Sequence, residues 1–438
     1  MVPPRAGGPW GTRRAVTLAP AVRREQEGRV SGAYSWHTEP MTTPAEQPTD
    51  RPAETAEIIE TTPATEVPAA KAAGVEMKER THLGMKIDDA WLGFQRRLAI
   101  RRGHVQTVIP YTGYGTTKWV RVLARVVLTD PRDSGPVEDS GPLKPLKEGI
   151  RGWRNFTSAP VRDAVVQVQI NGSTHTVKAD HGGVIDARID VELTPGWHTV
   201  RLKSGDSRLA DAPMKVVDDS VDFGVVSDID DTVMVTALPR PFLAAWNTFV
   251  VDEHARTPTP GMAVLYERIT RNMPSAPVLY LSTGAWNVAP ALTRFLSRNL
   301  YPAGPKLLTD WGPTRDRWFR SGQDHKRTSL ERLADEFPSV KWLLVGDDGQ
   351  HDEAIYAEFA QRHPDRVRAI AIRQLSASEA VLAGGRSKTN AAALTPGIDW
   401  VYAPDGAGMS KQLEKFGIIA PDPDPDPVPE PYPHREDS

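Results

Sequence analysis

Between residues 105 and 220, segments in which apolar and polar positions alternate are separated by turn sequences such as Asn171-Gly172 and Pro195-Gly196. Alternation with a period of two predicts strands with one buried face, and Asn-Gly between two such segments favours a hairpin. Closely spaced strands of this kind are typical of a β-sandwich. The predicted strands span residues 120–128, 164–170, 173–177, 184–191 and 197–202.

From residue 221 onward the pattern changes to continuous apolar segments that are separated by loops and amphipathic segments. The apolar segments predict buried strands, and their alternation with helices predicts a parallel sheet covered by helices on both faces. Ligands bind to such sheets at the carboxyl ends of the strands. The predicted strands are 223–227, 278–281, 342–345 and 367–372, and the predicted helices are 262–271 and 288–298.

The two ends of the chain show neither the strand period nor the helix period in their apolar residues. Residues 1–82 are rich in Pro, Ala, Thr and Glu, and the last residues alternate Pro and Asp (PDPDPDPVPEP), so we expect disordered tails. Apolar residues recur at helical spacing from 83 to 102, which predicts a helix that packs on its own domain or lies on a membrane surface. The predicted domains are 1–82 (disordered), 83–220 (helix and β-sandwich-like), 221–405 (α/β) and 406–438 (C-terminal segment with the Pro/Asp tail).

The composition excludes several classes of protein. The 53 basic and 56 acidic residues give a formal net charge of −3, which offers no general attraction to nucleic acid or to an anionic membrane. The absence of cysteine excludes disulfides, thiolate metal sites and a cysteine nucleophile. No run of about 18 apolar residues occurs, so no transmembrane helix is predicted. We expect a cytoplasmic protein without a nucleic-acid partner and with at most peripheral contact to a membrane.

Two aspartates follow the first predicted parallel strand directly. Asp228 and Asp230, in the sequence DIDDT, leave the strand where a ligand site is expected, and Thr232 at the end of this sequence is a candidate substrate-binding residue. One carboxylate can attack phosphorus while the other protonates the leaving oxygen and later activates water. A polar turn that caps the next helix is the structural alternative for DIDDT. Carboxylates packed together repel one another, and Mg²⁺, which prefers oxygen ligands, is the cation expected to offset this repulsion.

Two groups further along the chain are suited to binding a phosphoryl group. The second parallel strand is followed by Ser282, Thr283 and Gly284, whose hydroxyl and backbone N–H groups can hold a phosphoryl oxygen. Lys326, within QDHKRTSLERL at a predicted helix start, can neutralise the phosphoryl group and the nucleophile. Each feature alone is also typical of a turn or of an exposed lysine, so only their combination points to this chemistry.

A second acidic segment follows the third parallel strand. Asp347 and Asp348, in the sequence GDDGQHD, are suited to completing a metal site together with Asp228 and Asp230. His351 in the same segment is more typical of an exposed or hydrogen-bonded side chain than of a metal ligand.

The order of these groups resembles a known superfamily. DxDxT, a serine after the next strand, a lysine, and GDD after a further strand resemble the four motifs of the haloacid-dehalogenase (HAD) superfamily. More narrowly, SDIDDT, GYG, LST followed by GAWN, HK before SLERL, and GDDGQHD resemble the family of the fungal actin-patch phosphatidate phosphatase and its bacterial relatives, over about residues 85–405. The resemblance implies a HAD-like Rossmannoid parallel sheet for the catalytic domain.

The resemblance also implies a role for each motif residue. Asp228 would be the nucleophile and Asp230 the general acid and base. Ser282 and Lys326 would contact the phosphoryl group. Asp347 would bind Mg²⁺ together with Asp228 and the backbone carbonyl of Asp230.

The implied activity is magnesium-dependent hydrolysis of phosphatidate to diacylglycerol and phosphate through an aspartyl-phosphate. The short spacing between the motifs predicts no large cap domain, and an open site accepts a phosphate on a bulky body such as a lipid headgroup. A phosphatase of a soluble or protein phosphomonoester is the alternative enzyme, and a non-catalytic lipid- or protein-binding module is the alternative from another class. We also expect Tyr111 and Tyr114, in YTGYG, to lie in a loop that can reach toward a ligand.

Overall fold

The computed structural model describes residues 58–59, 98, 101–131, 158–235, 257–309, 315–349, 351–383, 385–386 and 391–421. The strands are β1 (Ile58–Ile59), β2 (Val105–Pro110), β3 (Gly113–Thr116), β4 (Trp119–Thr129), β5 (Val165–Ile170), β6 (Ser173–Lys178), β7 (Val184–Asp190), β8 (Gly196–Ser204), β9 (Ala210–Val217), β10 (Phe223–Asp228), β11 (Met234–Val235), β12 (Thr257–Pro258), β13 (Val278–Ala285), β14 (Lys306–Thr309), β15 (Lys341–Asp347), β16 (Val367–Arg373) and β17 (Asp399–Ala403). The helices are α1 (Met262–Asn272), α2 (Ala289–Arg298), α3 (Arg315–Glu336), α4 (Asp352–Arg362), α5 (Ala377–Leu382) and α6 (Gly406–Lys415).

The strands before residue 220 form one mixed sheet. In the described ranges its order is β1-β6-β5-β8-β9-β3-β4-β2, and β7 also pairs with β4. Neighbouring strands are antiparallel, except for the parallel pairs β1–β6 and β3–β9. Inward side chains from several strands pack into one apolar core that contains Val122, Val168, Ile185, Leu202 and Met214. Each of the five predicted strands lies within two residues of an observed one, because alternation locates a half-buried strand well.

The strands after residue 220 form a parallel sheet. Among the described residues the order is β14-β13-β10-β15-β16-β17, with every neighbouring pair parallel. Both faces of the inner strands are buried, which is why their sequences are apolar without alternation. The predicted α/β fold with a parallel sheet is therefore confirmed. Because β10 lies between β13 and β15, its last residue stands at the middle of the carboxyl edge of the sheet.

The core of this second part extends beyond residue 405, where the predicted α/β domain ends. Met409 and Leu413 of α6 are buried in the same core as the parallel sheet, and so are Ile418 and Ile419. The predicted domain boundaries themselves remain predictions. Most of the predicted disordered segment, nearly all of the helix predicted over 83–102, and the Pro/Asp tail lie outside the described residues.

The two sheets share an apolar contact. One buried cluster contains Tyr111, Tyr114 and Trp119 from the part of the chain before residue 220. It also contains Phe337, which follows α3, and Trp342 of β15. A Cβ atom added to Gly115 would lie 2.1 Å from the carbonyl oxygen of Trp119, so the glycine is required for the close pairing of β3 with β4. The YTGYG segment is therefore buried at this contact, with β3 paired between β4 and β9, whereas the sequence predicted a loop reaching toward a ligand.

Charged residues surround the apolar contact between the sheets. The phenol of Tyr114 donates a hydrogen bond to Glu336 at the end of α3 (2.7 Å). Arg121 contacts both Glu336 and Asp186 at 2.6 Å. Asp186 also accepts from Arg332 of α3 at 2.7 Å, and these arginines hold the pKa of the Asp186 carboxyl below its usual value although burial alone would raise it. The first sheet is thus fixed to α3 by buried and half-buried ion pairs.

Candidate active site

The first predicted aspartate lies at the end of β10. Asp228 is buried, and the residues that precede it pair with β13 on one side and β15 on the other. Thr232 lies in the following turn, where its hydroxyl donates to Asp228 Oδ2 at 3.3 Å. Asp231 in the same turn has a φ of 60°, in the left-handed region. Strand pairing and this turn therefore fix the position of the Asp228 carboxylate.

Lys326 contacts two buried carboxylates. Its ammonium group lies 2.6 Å from Asp228 Oδ1 and 2.6 Å from Asp352 Oδ1. Burial alone would lower the pKa of Lys326, but the two carboxylates raise it above its ordinary value, so the side chain stays protonated. The structure thus places a fixed positive charge beside Asp228, while the catalytic roles of both residues stay predictions.

Three buried carboxylates lie together at the carboxyl edge of the sheet. Oxygen atoms of Asp228, Asp347 and Asp352 all lie within 4.8 Å of one another. Burial raises the pKa of Asp228 well above its ordinary value; Lys326 lowers it, while Asp352, Asp347 and Asp230 raise it further. Formally, these three carboxylates carry more negative charge than their contacts with Lys326 offset.

The donor set and its spacing fit a hard divalent cation. Asp352 Oδ2 is buried and has no hydrogen-bond partner among the residues that the structure describes. A Cβ atom added to Gly346 would lie 2.6 Å from this same oxygen, so the glycine makes room for Asp352 to approach the end of β15. Asp347 Oδ1 accepts the N–H of Gly349 at 2.7 Å. Buried carboxylates with an unfilled acceptor could bind a metal ion, and the identity of that ion as Mg²⁺ stays a prediction.

Ser282 lies beside the second predicted catalytic aspartate. Its hydroxyl donates to Asp230 Oδ2 at 3.0 Å and accepts the N–H of Gly284 at 3.0 Å. The carbonyls of Thr283 and Gly284 accept from the hydroxyl of Thr309 at 3.0 and 3.2 Å. The irregularly paired end of β13 from Ser282 onward, together with Trp286, is thus held by hydrogen bonds on the side of β14, and we call the segment 282–286 the Ser282 loop.

The structure separates the two neighbouring aspartates of the second acidic segment. Asp347 joins the carboxylate cluster, whereas Asp348 Oδ1 accepts the N–H of Leu375 at 2.9 Å and its Oδ2 pairs with Arg386 at 3.1 Å. His351 lies 3.2 Å from the side-chain amide of Gln323, consistent with the expectation of a hydrogen-bonded histidine. The metal-binding role predicted for Asp348 has no support from this arrangement and stays a prediction.

Two residues at the site were not assigned from the sequence. Asp352 occurs in the acidic motif, but only the fold shows that the start of α4 directs it to Lys326. Arg373 ends β16, and its guanidinium donates to the carbonyl of Asp231 at 2.8 Å and to Glu379 at 2.7 Å. A charged residue at the end of an apolar strand is the signal that identified Asp228, and it would also have identified Arg373.

Part of the chain is similar in sequence to a known family. Residues 223–374 match the family model described as phosphatidate phosphatase APP1, catalytic domain. Phosphatidate phosphatase APP1 of Saccharomyces cerevisiae is 26% identical over 156 residues, which are 35% of this chain and 26% of that protein. An uncharacterized protein of Schizosaccharomyces pombe is 29% identical over 160 residues, 34% of this chain and 25% of that protein. The similarity thus spans about a quarter of the length of these two relatives.

Among solved structures, a carbohydrate acetylesterase from Xanthomonas citri matches with 11% identity and a TM-score of 0.26, over 72% of this chain and 76% of that chain.

No helix in the described part of the chain combines the length and apolar character needed to cross a membrane. Over residues 223–374, the chain is similar to the catalytic domain of the APP1 phosphatidate phosphatases, which confirms the resemblance carried by its motifs.

Proposed function

We propose that this chain is a magnesium-dependent phosphatase that forms a phospho-aspartate at Asp228, and that phosphatidate is its substrate. The observation that carries the proposal is the contact of Lys326 with the buried Asp228, next to Asp347 and Asp352, at the carboxyl edge of a parallel sheet. A nucleophile, a fixed positive charge and a set of oxygen ligands then lie within one site, as phosphoryl transfer requires.

In the first step, a carboxylate oxygen of Asp228 attacks phosphorus. The new O–P bond forms as the bond from phosphorus to the leaving oxygen breaks, and Asp230 gives its proton to that oxygen, which leaves as an alcohol. Asp228 is buried, whereas Asp230 is half-buried. This difference supports the assignment, because the nucleophile needs a fixed position and the acid needs access to the leaving group.

In the second step, water attacks the phospho-aspartate. Asp230, now a carboxylate, takes a proton from the water while the bond between phosphorus and Asp228 breaks. Phosphate is released and Asp228 is again a carboxylate. Lys326 and Ser282 hold the phosphoryl oxygens through both steps.

Asp228, Asp347 and Asp352 are the side chains that would hold Mg²⁺. The bound ion would supply Lewis-acid stabilisation of the charge on the phosphoryl oxygens. The excess of negative charge in the cluster and the unpartnered oxygen of Asp352 support this role.

The similarity to a phosphatidate phosphatase supports a phospholipid as the substrate. The reacting phosphate of such a lipid lies at a membrane surface, so the enzyme would work there as a peripheral protein. The absence of a large cap, which would leave the site open to a bulky substrate, stays a prediction because residues 236–256 lie outside the described ranges.

The test is phosphate release from phosphatidate in mixed micelles and from a panel of soluble phosphomonoesters, with Mg²⁺ or EDTA. Wild type should release phosphate from phosphatidate only with Mg²⁺, and Asp228→Asn should release none. Asp399→Asn is the matched control, because Asp399 forms a half-exposed pair with Arg368 on the last strand of the sheet. Release from soluble esters alone would keep the mechanism and change the substrate. No release that depends on Asp228 would favour a non-catalytic binding module.

A further inference from the structure

The Ser282 loop has a contact that comes from the first sheet. The ring of Tyr111 stacks on Trp286, the last residue of the loop, with ring centroids 4.8 Å apart and planes inclined by 19°. The hydroxyl of Tyr111 donates to the carbonyl oxygen of Trp286 at 2.9 Å, and both side chains are buried. Tyr111 is itself fixed, because its backbone N–H donates to Leu123 of β4 at 3.0 Å.

The loop is therefore held from two sides by side-chain hydroxyls. Thr309 binds the carbonyls of Thr283 and Gly284, and Tyr111 binds the carbonyl of Trp286. In a trans peptide, the N–H of the next residue points opposite to the carbonyl, so a fixed carbonyl also fixes the direction of that N–H. Regular pairing of β13 with β14 is interrupted between Leu281 and Ala285, so these hydroxyls replace contacts that a sheet ladder would otherwise provide.

We propose that Tyr111 is a positioning residue for phosphoryl binding, and that the first sheet is thereby a working part of the catalytic site. The inference rests on the proposed function, since the Ser282 loop is the segment proposed to hold the phosphoryl oxygens. Tyr111 acts by fixing Trp286 and, through it, the backbone that carries Ser282.

Tyr114 provides the matched control in the same YTGYG segment. Its phenol also donates a buried hydrogen bond across the contact between the sheets, but the acceptor is Glu336. Glu336 lies ten residues after Lys326 on α3, about 15 Å along the helix axis. Tyr114→Phe removes a bond to a charged acceptor, which should cost at least as much stability as the bond to a backbone carbonyl that Tyr111→Phe removes. Only Tyr111→Phe releases the Ser282 loop.

The experiment compares the full chain as wild type, Tyr111→Phe, Tyr111→Leu, Tyr114→Phe and Asp228→Asn. It measures kcat and KM for phosphatidate and for a soluble phosphomonoester, the inhibition constant of orthophosphate, and the thermal midpoint. Tyr111→Phe should lower kcat/KM for both substrates by about fivefold, the factor expected for one hydrogen bond, and should weaken orthophosphate inhibition in parallel. Tyr111→Leu, which also removes the ring stack, should lose more. Tyr114→Phe should stay within about twofold of wild type in kcat/KM for each substrate and in the inhibition constant of orthophosphate.

Equal kinetic effects of Tyr111→Phe and Tyr114→Phe at equal loss of thermal midpoint would overturn the inference. If wild type also hydrolyses the soluble ester, a loss confined to phosphatidate would likewise overturn it, since a phosphoryl-binding role affects every phosphomonoester alike. If wild type and Asp228→Asn are both inactive, the proposed function fails, and calorimetric binding of orthophosphate with Mg²⁺ then decides the inference. Weaker binding by Tyr111→Phe than by Tyr114→Phe would support it, whereas equal binding, or none by wild type, would overturn it.

Discussion

Replacing Lys326 with methionine tests the charge balance of the site. The lysine is in contact with two buried carboxylates, each at 2.6 Å. Methionine is of similar length but carries no charge, so Lys326→Met leaves Asp228 and Asp352 buried without their counter-charge. Removing one partner of a buried ion pair lowers the free energy of unfolding by about 3–5 kcal/mol. We expect a loss of that size in EDTA near neutral pH.

The pH dependence of this loss follows from the carboxylates. Burial raises the pKa of Asp228, so the folded state binds more protons than the unfolded state at mildly acidic pH. In Lys326→Met the charged, unpaired carboxylates lower the free energy of unfolding. Part of this loss is therefore recovered as pH falls and Asp228 becomes protonated. The destabilisation by Lys326→Met should be smaller at about pH 5 than at about pH 8.

Lys306 offers a matched control, because it is a second buried lysine in a different environment. Its ammonium group contacts the carbonyl of Gly304 at 3.2 Å, and burial lowers its pKa from 10.5 to about 8. Keeping this charge below pH 8 costs roughly 3 kcal/mol, and the cost disappears as pH rises through 8 to 10.5. Lys306→Met should therefore be neutral or stabilising at pH 7, in contrast to Lys326→Met.

The assay is urea unfolding of wild type and both variants at pH 5, 7 and 8, with EDTA present throughout and tryptophan fluorescence as the signal. The quantity compared is the free energy of unfolding, taken at a common slope on denaturant concentration. If Lys326→Met is no less stable than Lys306→Met at pH 7, the ion pairs of Lys326 do not balance the carboxylate cluster. The charge argument for the site would then be refuted.

Three further outcomes are expected. Mg²⁺ should raise the thermal midpoint of wild type in a scanning calorimeter, because a ligand that binds only the folded state stabilises it, and Asp352→Asn should respond less at the same Mg²⁺ concentration. Burial lowers the pKa of His325 to about 4, so below about pH 6.5 the folded state binds fewer protons than the unfolded state and is less stable as pH decreases. The free energy of unfolding in urea should therefore be lower at pH 4.5 than at pH 7, by up to about 3 kcal/mol, and His325→Gln should remove this difference. Arg373→Met should lower the free energy of unfolding by about 2 kcal/mol, because the carbonyl of Asp231 loses its buried donor, whereas Arg327→Met, at a partly exposed ion pair, should change it by less than about 1 kcal/mol.

The strands that carry the chemistry were predictable from the sequence. Buried parallel strands are continuous apolar segments, and their carboxyl ends meet at one edge of the sheet. Asp228, Ser282 and Asp347 each follow or end such a segment, so their convergence follows from the pattern alone. Lys326 was predictable only through the order of the motifs, since it lies on a helix whose sequence gives no indication of which face meets the sheet.

The choice between neighbouring acidic residues was not predictable. Successive side chains at a strand end point in opposite directions, so of Asp347 and Asp348 only one can face the cluster. Which one does so depends on the register of β15 against β10 and β16, and register is a property of the folded sheet. The third carboxylate of the cluster comes from Asp352, because α4 begins there and turns its first residue back toward Lys326.

The contact between the sheets shows why similarity over residues 223–374 describes the site incompletely. The side chains of the candidate site all fall within that segment, but the core that supports them also contains Tyr111 and Trp119 before it and Leu413 after it. Apolar contacts and a hydrogen bond to a backbone carbonyl leave no motif, because any residue of suitable shape can make them. Under the proposed function, the geometry of the Ser282 loop depends on such contacts, since small displacements of binding groups reduce catalysis strongly. The residues that would set the precision of this site then lie partly in a sheet whose sequence carries no catalytic signal.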